Sequence, residues 1–310
     1  MKPVRIGSRG SMLAKWQAAH VAQLLQKLGA QTEIIYIKTS GDKFQQTGIN
    51  QIGGKGVFIK EIEDALIEGR VDIAVHSMKD VPTEVPAKLY FPAICKRENP
   101  FDCLISRNAA KFAALARGAR VGTSSLRRQA QLRQARPNLT FVDLRGNVDT
   151  RMKKLESGEC DAIVLARAGL DRLGWSDRIT EMLPIDLCIP AVGQGALGIE
   201  ARKGDADFAW VNQLNDTNSR AEVTAERALL RELEGGCQVP LGALARVNGN
   251  RLELQSRIVS LDGAKCVSMN IVGNSADAEA LGTKLAKEMI AGGAAEILQQ
   301  ARSVASESGH

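Results

Sequence analysis

The chain has 310 residues, of which 44% are hydrophobic and 25% charged, and its formal net charge is +6. This is the composition of a globular protein, and the length exceeds what one hydrophobic core usually organises, so two or three domains are expected. No apolar run is long enough for a bilayer, no secretion signal is visible, and six cysteines without a Cys-x-x-Cys pair beside three histidines make a zinc site unexpected. The sequence therefore predicts a cytoplasmic protein without membrane contact or a metal centre.

The first part of the chain alternates strand and helix patterns. VRIG and EIIYIK are typical of strands, and SMLAKWQAAHVAQLLQKLG between them has helical apolar spacing with Ser11 as its N-cap. GVFIKEIEDALIEG predicts an amphipathic helix that ends at Gly69. VDIAVHS, which follows, is a nearly continuous apolar strand of the kind buried in parallel sheets. This alternation predicts an α/β fold.

The same pattern then recurs further along the chain. RIGSRGSMLAKWQA resembles RVGTSSLRRQAQLR, and GRVDIAVHSMKD resembles GECDAIVLARAGL, which predicts two α/β domains of related build. In each, a strand enters a helix through a Gly-Ser/Thr turn whose backbone N–H groups suit an anion. Ligands of such sheets lie beyond the carboxyl ends of the strands. The predicted cleft contains HSMKDVP and is lined by Arg9, Ser11, Thr123, Ser124, Ser125, Arg127 and Arg128.

Two connections are predicted to cross between these domains, at KRENPFD (Lys96–Asp102) and IPAVGQG (Ile189–Gly195). GIEARK then predicts a strand, DFAWVNQLN a helix and SRAEVTAERALLRELEG a long helix. Three β-like runs with hairpin turns at VNGN and LDGA, followed by two helical patterns, predict a third, α+β domain. The expected domains are 1–97 with 195–215, 98–194, and 216–310.

Positive charge is concentrated in one region. From Arg120 to Arg178 there are 12 lysines and arginines against 7 aspartates and glutamates, a local charge of +5. Such a surface attracts a polyanion, although a solvated helix face is the alternative for any single arginine. Nucleic acid is one candidate, but the region has only Phe141 and Trp175 as aromatic residues and no nucleic-acid-binding motif. A small ligand with many carboxylates fits at least as well, because guanidinium groups bind carboxylates bidentately.

Two residues are candidates for chemistry. Asp80, at the end of the VDIAVHS strand, has turn formation as its ordinary role, but its arginine-rich surroundings suggest that it stabilises a developing cation or moves a proton. Cys237 lies on a Gly-Gly-Cys-x-x-Pro loop and is a candidate nucleophile or covalent anchor. No histidine is near it in sequence, which favours permanent attachment. Lys55, in QIGGKG, lies either on a mobile flap over the cleft or on an ordinary solvent loop.

The motifs together identify a family resemblance. GGKGVFIKEIE, DIAVHSMKDVPTE, VGTSSLRRQAQL, LRGNVDTR, DAIVLARAGLDRLG, PAVGQGALGIE and TAERALLRELEGGCQVPLGA occur in this order, and the chain resembles the porphobilinogen deaminase (hydroxymethylbilane synthase) family from about Val4 to about Gln300. The resemblance implies two periplasmic-binding-protein-like (type II) α/β domains and a small domain with a three-stranded antiparallel sheet. It also implies a transferase that joins four porphobilinogen molecules head to tail with loss of ammonia, giving hydroxymethylbilane.

The resemblance assigns roles residue by residue. Cys237 would carry a dipyrromethane cofactor through a thioether, and Asp80 would assist the loss of ammonia and stabilise cationic pyrrole species. Lys55 would lie in the flap. The positions implied to bind cofactor and substrate are Arg9, Ser11, Asp42, Ser77, Lys79, Thr123, Ser124, Ser125, Arg127, Arg128, Arg145, Gly146, Arg151, Arg172 and Gln194.

The competing interpretation is a cytoplasmic two-domain protein that binds an anion without chemistry, since one fold serves many functions. Cys237 discriminates between the two, because a simple binder has no use for a covalent pyrrole cofactor. Porphobilinogen is the expected small-molecule partner, nucleic acid is not expected, and a monomer is predicted because no heptad pattern or self-pairing strand is visible.

Overall fold

The computed structural model describes residues 2–39, 59–233 and 239–307. Three β-sheets organise this part of the chain, two with five strands and one with three. The predicted α/β class with a small α+β unit is therefore confirmed. Among the described helices, none combines the length and the apolar character needed to cross a membrane.

The first sheet has the strand order β2-β1-β3-β10-β4. Strands β1, β2 and β3 are parallel, and β10 runs antiparallel to both β3 and β4. Helix α1 (Met12–Lys27) covers one face and helix α2 (Lys60–Ile67) the other, so the inner strands are buried on both sides, as their continuous apolar runs predict. The strands are β1 (Val4–Ser8), β2 (Thr32–Tyr36), β3 (Ile73–Ser77), β4 (Leu89–Ile94) and β10 (Leu197–Arg202).

The second sheet repeats this arrangement, with the order β7-β6-β8-β5-β9. Strands β6, β7 and β8 are parallel, and β5 runs antiparallel between β8 and β9. Position by position the two orders are equivalent, which confirms the two related domains predicted from the internal resemblance. The elements are β5 (Asp102–Ser106), β6 (Arg120–Gly122), α3 (Leu126–Ala135), β7 (Thr140–Val142), α4 (Val148–Glu156), β8 (Ala162–Ala166), α5 (Arg167–Arg172) and β9 (Glu181–Met182).

The chain crosses between the two sheets twice. Strand β4 of the first sheet leads into β5 of the second, and β9 of the second leads back into β10 of the first. Both predicted crossings lie in these connections. They pack tightly against each other, because a Cβ on Gly195 would lie 2.5 Å from the carbonyl oxygen of Glu98. Gly195 also has a φ of +88°, a conformation that favours glycine.

The third sheet is antiparallel, with the order β11-β12-β13. Helices α6, α7 and α8 pack on it through one apolar cluster that includes Leu229, Leu254 and Leu285. A π-helical turn containing Gly293 in the left-handed conformation joins α7 to α8. The elements are α6 (Thr217–Glu232), β11 (Leu241–Asn248), β12 (Arg251–Val259), β13 (Cys266–Asn274), α7 (Ala278–Met289) and α8 (Ala295–Glu307).

The segment predicted as a helix from DFAWVNQLN is a 3₁₀ helix, Ala206–Leu214. Phe208, Val211 and Leu214 all pack on the core of the first sheet. Trp210 also packs on this core, so the apolar residues do not follow a strict three-residue period. The apolar residues indicated a helix correctly, but their spacing does not determine its type.

Candidate active site

A cavity of about 840 Å³ lies between the two five-stranded sheets, beyond the carboxyl ends of β1, β3, β6 and β8. Thr123 is buried behind the cavity wall, whereas Asp42, Lys55 and Cys237 lie outside the described residues. The cavity lies where the two repeated strand–helix turns predicted a ligand-binding cleft. The roles assigned to its residues stay predictions. The predicted residues that line it are Arg9, Ser11, Ser77, Lys79, Asp80, Ser124, Ser125, Arg127, Arg128, Arg145, Gly146, Arg151, Arg172 and Gln194.

Asp80 lines the cavity and lies just after the end of strand β3. After Ser77 the chain makes one 3₁₀ turn, Met78–Asp80, in which Met78 is buried and Asp80 is exposed. Between them, Lys79 is surrounded by protein atoms but keeps part of its surface open to the cavity. Burial lowers the pKa of Lys79 to about 8, with Arg128 adding to the effect and Asp80 opposing it. The turn thus places the Asp80 carboxylate beside the Lys79 ammonium, which gives up its proton more easily than an ordinary lysine.

Two helices begin at the cavity with serine N-caps. The hydroxyl of Ser11 accepts a hydrogen bond from the Ala14 N–H of α1 at 3.3 Å, which confirms the predicted cap. In α3, the hydroxyl of Ser125 accepts one from the Arg128 N–H at 3.4 Å. Buried Thr123 shapes this second turn, because its Oγ1 accepts from the Ser125 N–H. Helix N-termini carry partial positive charge, so both turns favour an anion in the cavity.

Arg127 and Arg128 share one buried carboxylate, that of Asp102. Arg127 Nη1 lies 2.7 Å from Oδ2 and Arg128 Nη2 lies 2.7 Å from Oδ1. Arg127 also donates to the carbonyl oxygen of Ile189, and Arg128 to that of Val164. Burial alone would raise the pKa of Asp102, but the two guanidinium groups outweigh it and hold that pKa far below its usual range. Both arginines are therefore anchored by the protein itself, and Asp102 offsets part of their charge.

Arg151 and Arg172 are held differently, by backbone carbonyls. Arg151 Nε donates to Gly146 at 2.8 Å, and Arg172 Nη2 donates to Gly195 at 2.7 Å. Burial lowers the pKa of Arg151 to about 10, with Arg128 contributing in the same direction and Asp80 opposing. Burial also lowers the pKa of Arg172. These cations have lost water without gaining a full negative partner, so a bound carboxylate would stabilise them.

At the cavity, His76 Nε2 makes no hydrogen bond within the described part of the chain but lies 3.0 Å from the carboxylate of Glu200. Two other buried polar atoms there have no partner of either kind among the described residues. They are Nε of Arg172 and Oε1 of Gln194, whose side chains are 7% and 1% exposed. Gln194 is fixed at its other end, because its Nε2 donates to the Pro100 carbonyl and to Asp102. A buried donor and a buried acceptor without partners are costly unless a ligand satisfies them. An organic group that carries both carboxylates and N–H donors matches this pair.

The remaining predicted arginines, Arg9 and Arg145, are more exposed than the two arginines that share Asp102. Arg145 is partly exposed and its Nε lies 2.6 Å from the carboxylate of Asp143. Arg9 is half-buried and follows β1 directly. Gly146, between Arg145 and helix α4, has a φ of +111°, and a Cβ there would contact the Thr150 side chain at 2.8 Å. This glycine lets the chain turn sharply into the helix that carries Arg151.

Sequence reasoning missed two residues of this site. Gln17 of α1 is buried and its Nε2 donates to Ser77 Oγ at 2.9 Å, beside the Asp80 turn. In the sequence, the only indication of its role was that a polar residue stands between Leu13 and Val21 on the apolar face of the helix. Asp102, in the first crossing, is fully buried, and an acidic residue directly before the apolar run CLI was its only signal.

Solved structures of periplasmic proteins resemble the chain. The VFT2 domain of BvgS from Bordetella pertussis is 17% identical, with 68% of this chain and 86% of that chain covered and a TM-score of 0.41. The sulfonate-binding protein SsuA from Methylobacillus flagellatus is 16% identical, with 76% and 68% covered and a TM-score of 0.39. Neither likeness says anything about the activity of this chain.

Curated relatives and family models match far more strongly. The porphobilinogen deaminase of Pelotomaculum thermopropionicum is 48% identical over 304 residues, which is 97% of each chain. That of Trichlorobacter lovleyi is 50% identical over 301 residues, which is 96% of each chain. The family model "Porphobilinogen deaminase, dipyromethane cofactor binding domain" matches residues 4–209, and "Porphobilinogen deaminase, C-terminal domain" matches residues 220–291. The chain belongs to the porphobilinogen deaminase family.

Proposed function

We propose that this protein is a transferase that joins four porphobilinogen molecules head to tail with loss of ammonia. The product is linear hydroxymethylbilane, built on a dipyrromethane cofactor attached to Cys237. Each porphobilinogen unit carries an acetate and a propionate, so the growing chain is a polyanion. The proposal rests on family membership and on the match between this polyanion and the charge of the cavity.

One observation carries the proposal: three of the cavity's cations are incompletely neutralised by the protein. Lys79, Arg151 and Arg172 all have lowered pKa values because they are buried without a full counter-charge. By contrast, burial alone would lower the pKa of Arg97, outside the cavity, but the carboxylates of Glu226 and Glu222 outweigh it and raise that pKa. The protein therefore neutralises Arg97 itself, as Asp102 does for Arg127, and leaves Lys79, Arg151 and Arg172 for an external anion. A chain of pyrrole carboxylates would supply it.

Asp80 is proposed as the catalytic carboxylate. It is exposed in a cavity whose other charged walls are mostly basic, and its negative charge opposes the lowering of the pKa values of Lys79 and Arg151. A carboxylate in this position stabilises positive charge that develops when the amino group of porphobilinogen leaves as ammonia. Lys79, with its pKa near 8, holds a transferable proton beside it.

Two buried residues that line the cavity, Arg172 and Gln194, fit the cofactor. Arg172 Nε would donate to a cofactor carboxylate, and Gln194 Oε1 would accept from a pyrrole N–H, which would give both buried atoms the partners that the described residues do not supply. When bound, the dipyrromethane supplies the free pyrrole position to which new units are joined. The N-termini of α1 and α3 would hold further carboxylates through backbone N–H groups.

The domain boundaries are also proposals. We assign residues 1–97 with 195–215 to the first domain, 98–194 to the second and 216–310 to the third, supported by the distribution of strands among the three sheets. The anion-binding alternative would use the same sheets and cleft, and it differs in having no covalent group on Cys237. The monomeric state stays a prediction.

Replacing Asp80 tests the proposed chemistry. Asp80→Asn should lower the rate of porphobilinogen consumption by about 100-fold or more, the range for loss of a general acid or a charge-stabilising group. Because Asp80 is exposed, the fold should persist, which circular dichroism and thermal unfolding would verify. Asp149→Asn is the matched control, since Asp149 also lines the cavity but on helix α4. Normal turnover by Asp80→Asn would refute the assignment.

A further inference from the structure

Helix α6 of the third sheet's domain contacts the backbone that directly follows Asp80. The guanidinium of Arg227 donates to three consecutive carbonyl oxygens, those of Val81 at 3.0 Å, Pro82 at 2.6 Å and Thr83 at 3.3 Å. Hydrogen bonds from a charged donor are stronger than those between neutral groups. One side chain therefore supplies hydrogen-bond donors to three consecutive carbonyl oxygens directly after Asp80.

Among the described residues, few backbone hydrogen bonds hold this segment. Residues 81–88 lie in neither a helix nor a strand, and Pro82 has no N–H to donate. The Val81 N–H bonds to Met78 at 3.3 Å, within the 3₁₀ turn that ends at Asp80. Backbone carbonyls without partners inside a protein are costly, so the position of this segment depends on the donor that reaches it.

The same helix also packs against the apolar side of the turn. Val223 lies one helical turn before Arg227, so the two side chains share a face of α6. Val223 is buried in one cluster with Met78 and Val81, the residues on either side of the Lys79–Asp80 pair. Helix α6 thus holds the turn through an apolar contact and through three hydrogen bonds.

Helix α6 also leads to the proposed attachment site. It ends at Glu232, and Cys237 follows five residues later in the sequence. We propose that Arg227 is a positioning residue that fixes the Asp80 turn against helix α6 of the third domain, the domain whose sequence contains Cys237. This inference rests on the proposed function, because it assumes that the reacting end is built on Cys237.

The expected consequence is a loss of rate without a loss of substrate affinity. Arg227 lies behind the turn and donates to backbone, so the cavity's cations remain in place when it is replaced. Displacing a catalytic group by about 1 Å costs about 100-fold in rate. A purely structural residue would instead lower stability with little effect on the rate of the folded enzyme.

The chain supplies a matched control on the same helix. Arg220 lies two turns earlier and donates to the backbone carbonyls of Phe91 and Pro92, each at 3.0 Å. It therefore makes the same kind of contact, from the same helix to the same domain, but on strand β4 instead of the Asp80 turn. Its loss should weaken the docking of α6 and leave Asp80 in place.

The experiment compares Arg227→Gln, Arg227→Lys and Arg220→Gln holoenzymes with the wild type. For each, kcat and KM for porphobilinogen, the thermal midpoint and the intact mass are measured. We expect Arg227→Gln to lose at least tenfold in kcat with KM changed by less than threefold and the cofactor mass retained. Arg227→Lys should recover part of the rate, because an ammonium still donates to carbonyls. Arg220→Gln should keep kcat within twofold while losing stability comparably.

Three results would overturn the inference. They are a kcat of Arg227→Gln within twofold of wild type, an equal loss of kcat in Arg220→Gln, or a change confined to KM. If Arg227→Gln does not fold, the same criteria apply to Arg227→Lys. Failure of the proposed function is separable, because it would appear as normal turnover in Asp80→Asn, whereas failure of this inference leaves Asp80→Asn inactive.

Discussion

The guanidinium of Arg97 and the carboxylate of Glu226 form a bidentate pair, with hydrogen bonds of 2.7 and 3.1 Å. Arg97 lies in the first crossing between the sheets, and Glu226 lies on helix α6. The same carboxylate accepts from the N–H of Gly193 in the second crossing at 2.6 Å and from the N–H of Ala245 in β11 at 2.8 Å. One buried acidic side chain thus joins both crossings to the third domain.

Glu226→Gln should strongly destabilise the protein. The substitution preserves shape but leaves the buried guanidinium of Arg97 without its main counter-charge, which typically costs about 3–5 kcal/mol. Urea denaturation would measure this loss. Glu222→Gln is the control, since Glu222 lies farther from Arg97, at 3.4 Å, and is less buried. A loss below about 1 kcal/mol for Glu226→Gln, or equal losses for the two variants, would contradict this role.

Asp102→Asn should destabilise the second domain and change its response to acid. Two buried arginines would lose their shared partner, at a cost of about 3–5 kcal/mol. Because the folded state lowers the pKa of Asp102, its contribution is present above the unfolded pKa of about 3.9 and is lost as the pH falls below it. Unfolding measured from about pH 3 to 7 should therefore show a shallower acid slope in the variant. The exposed Asp177→Asn should behave as wild type; an unchanged slope in Asp102→Asn would contradict the prediction.

Substrate binding should weaken at alkaline pH through Lys79. Its ammonium is charged below its pKa of about 8, so the attraction for substrate carboxylates is present at neutral pH and is lost as the pH rises through that value. KM for porphobilinogen should rise accordingly. Lys79→Arg should remove this rise between about pH 7 and 9, because arginine stays charged. Both enzymes share the ionisation of the substrate, so identical pH profiles would show that Lys79 is not the titrating group.

Arg151→Gln should weaken binding while sparing the fold. The variant loses a cation that lines the cavity and is held there by a backbone carbonyl. A substrate carboxylate would then lose one charge-assisted hydrogen bond, so KM should rise about tenfold or more. Its unfolding free energy should change by less than about 1 kcal/mol, because a partly desolvated charge is removed. Arg167→Gln is the control, since Arg167 pairs with Asp171 in the same domain but does not line the cavity. An unchanged KM in Arg151→Gln would place the substrate elsewhere.

Local patterns in the sequence predicted the fold well. The resemblance of the Ser11 turn to the Ser125 turn identified two equivalent strand–helix units, and both serines cap helices at the cavity. The apolar runs identified the central strands because burial on both faces leaves no room for alternation. These features are set by residues near each other in sequence, so the sequence reports them directly.

Contacts between distant segments were beyond prediction. Arg97 and Glu226 are 129 positions apart, and Arg227 is 146 positions from Val81. Nothing in the local spacing of TAERALL indicates which backbone a guanidinium will meet. Likewise, the sequence showed a cluster of basic residues but could not separate Arg127, which pairs with a buried aspartate, from Arg172, which does not. That distinction depends on which carboxylate the folded chain brings within reach.

The most direct test of this account is the intact mass of the denatured, purified protein. Wild type and the exposed-thiol control Cys266→Ser should both exceed the mass of their translated chains by two condensed pyrrole units, whereas Cys237→Ser should have its translated mass and be inactive. A wild-type mass equal to that of the bare polypeptide, or the same adduct on Cys237→Ser, would contradict the claim that the reaction is built on Cys237.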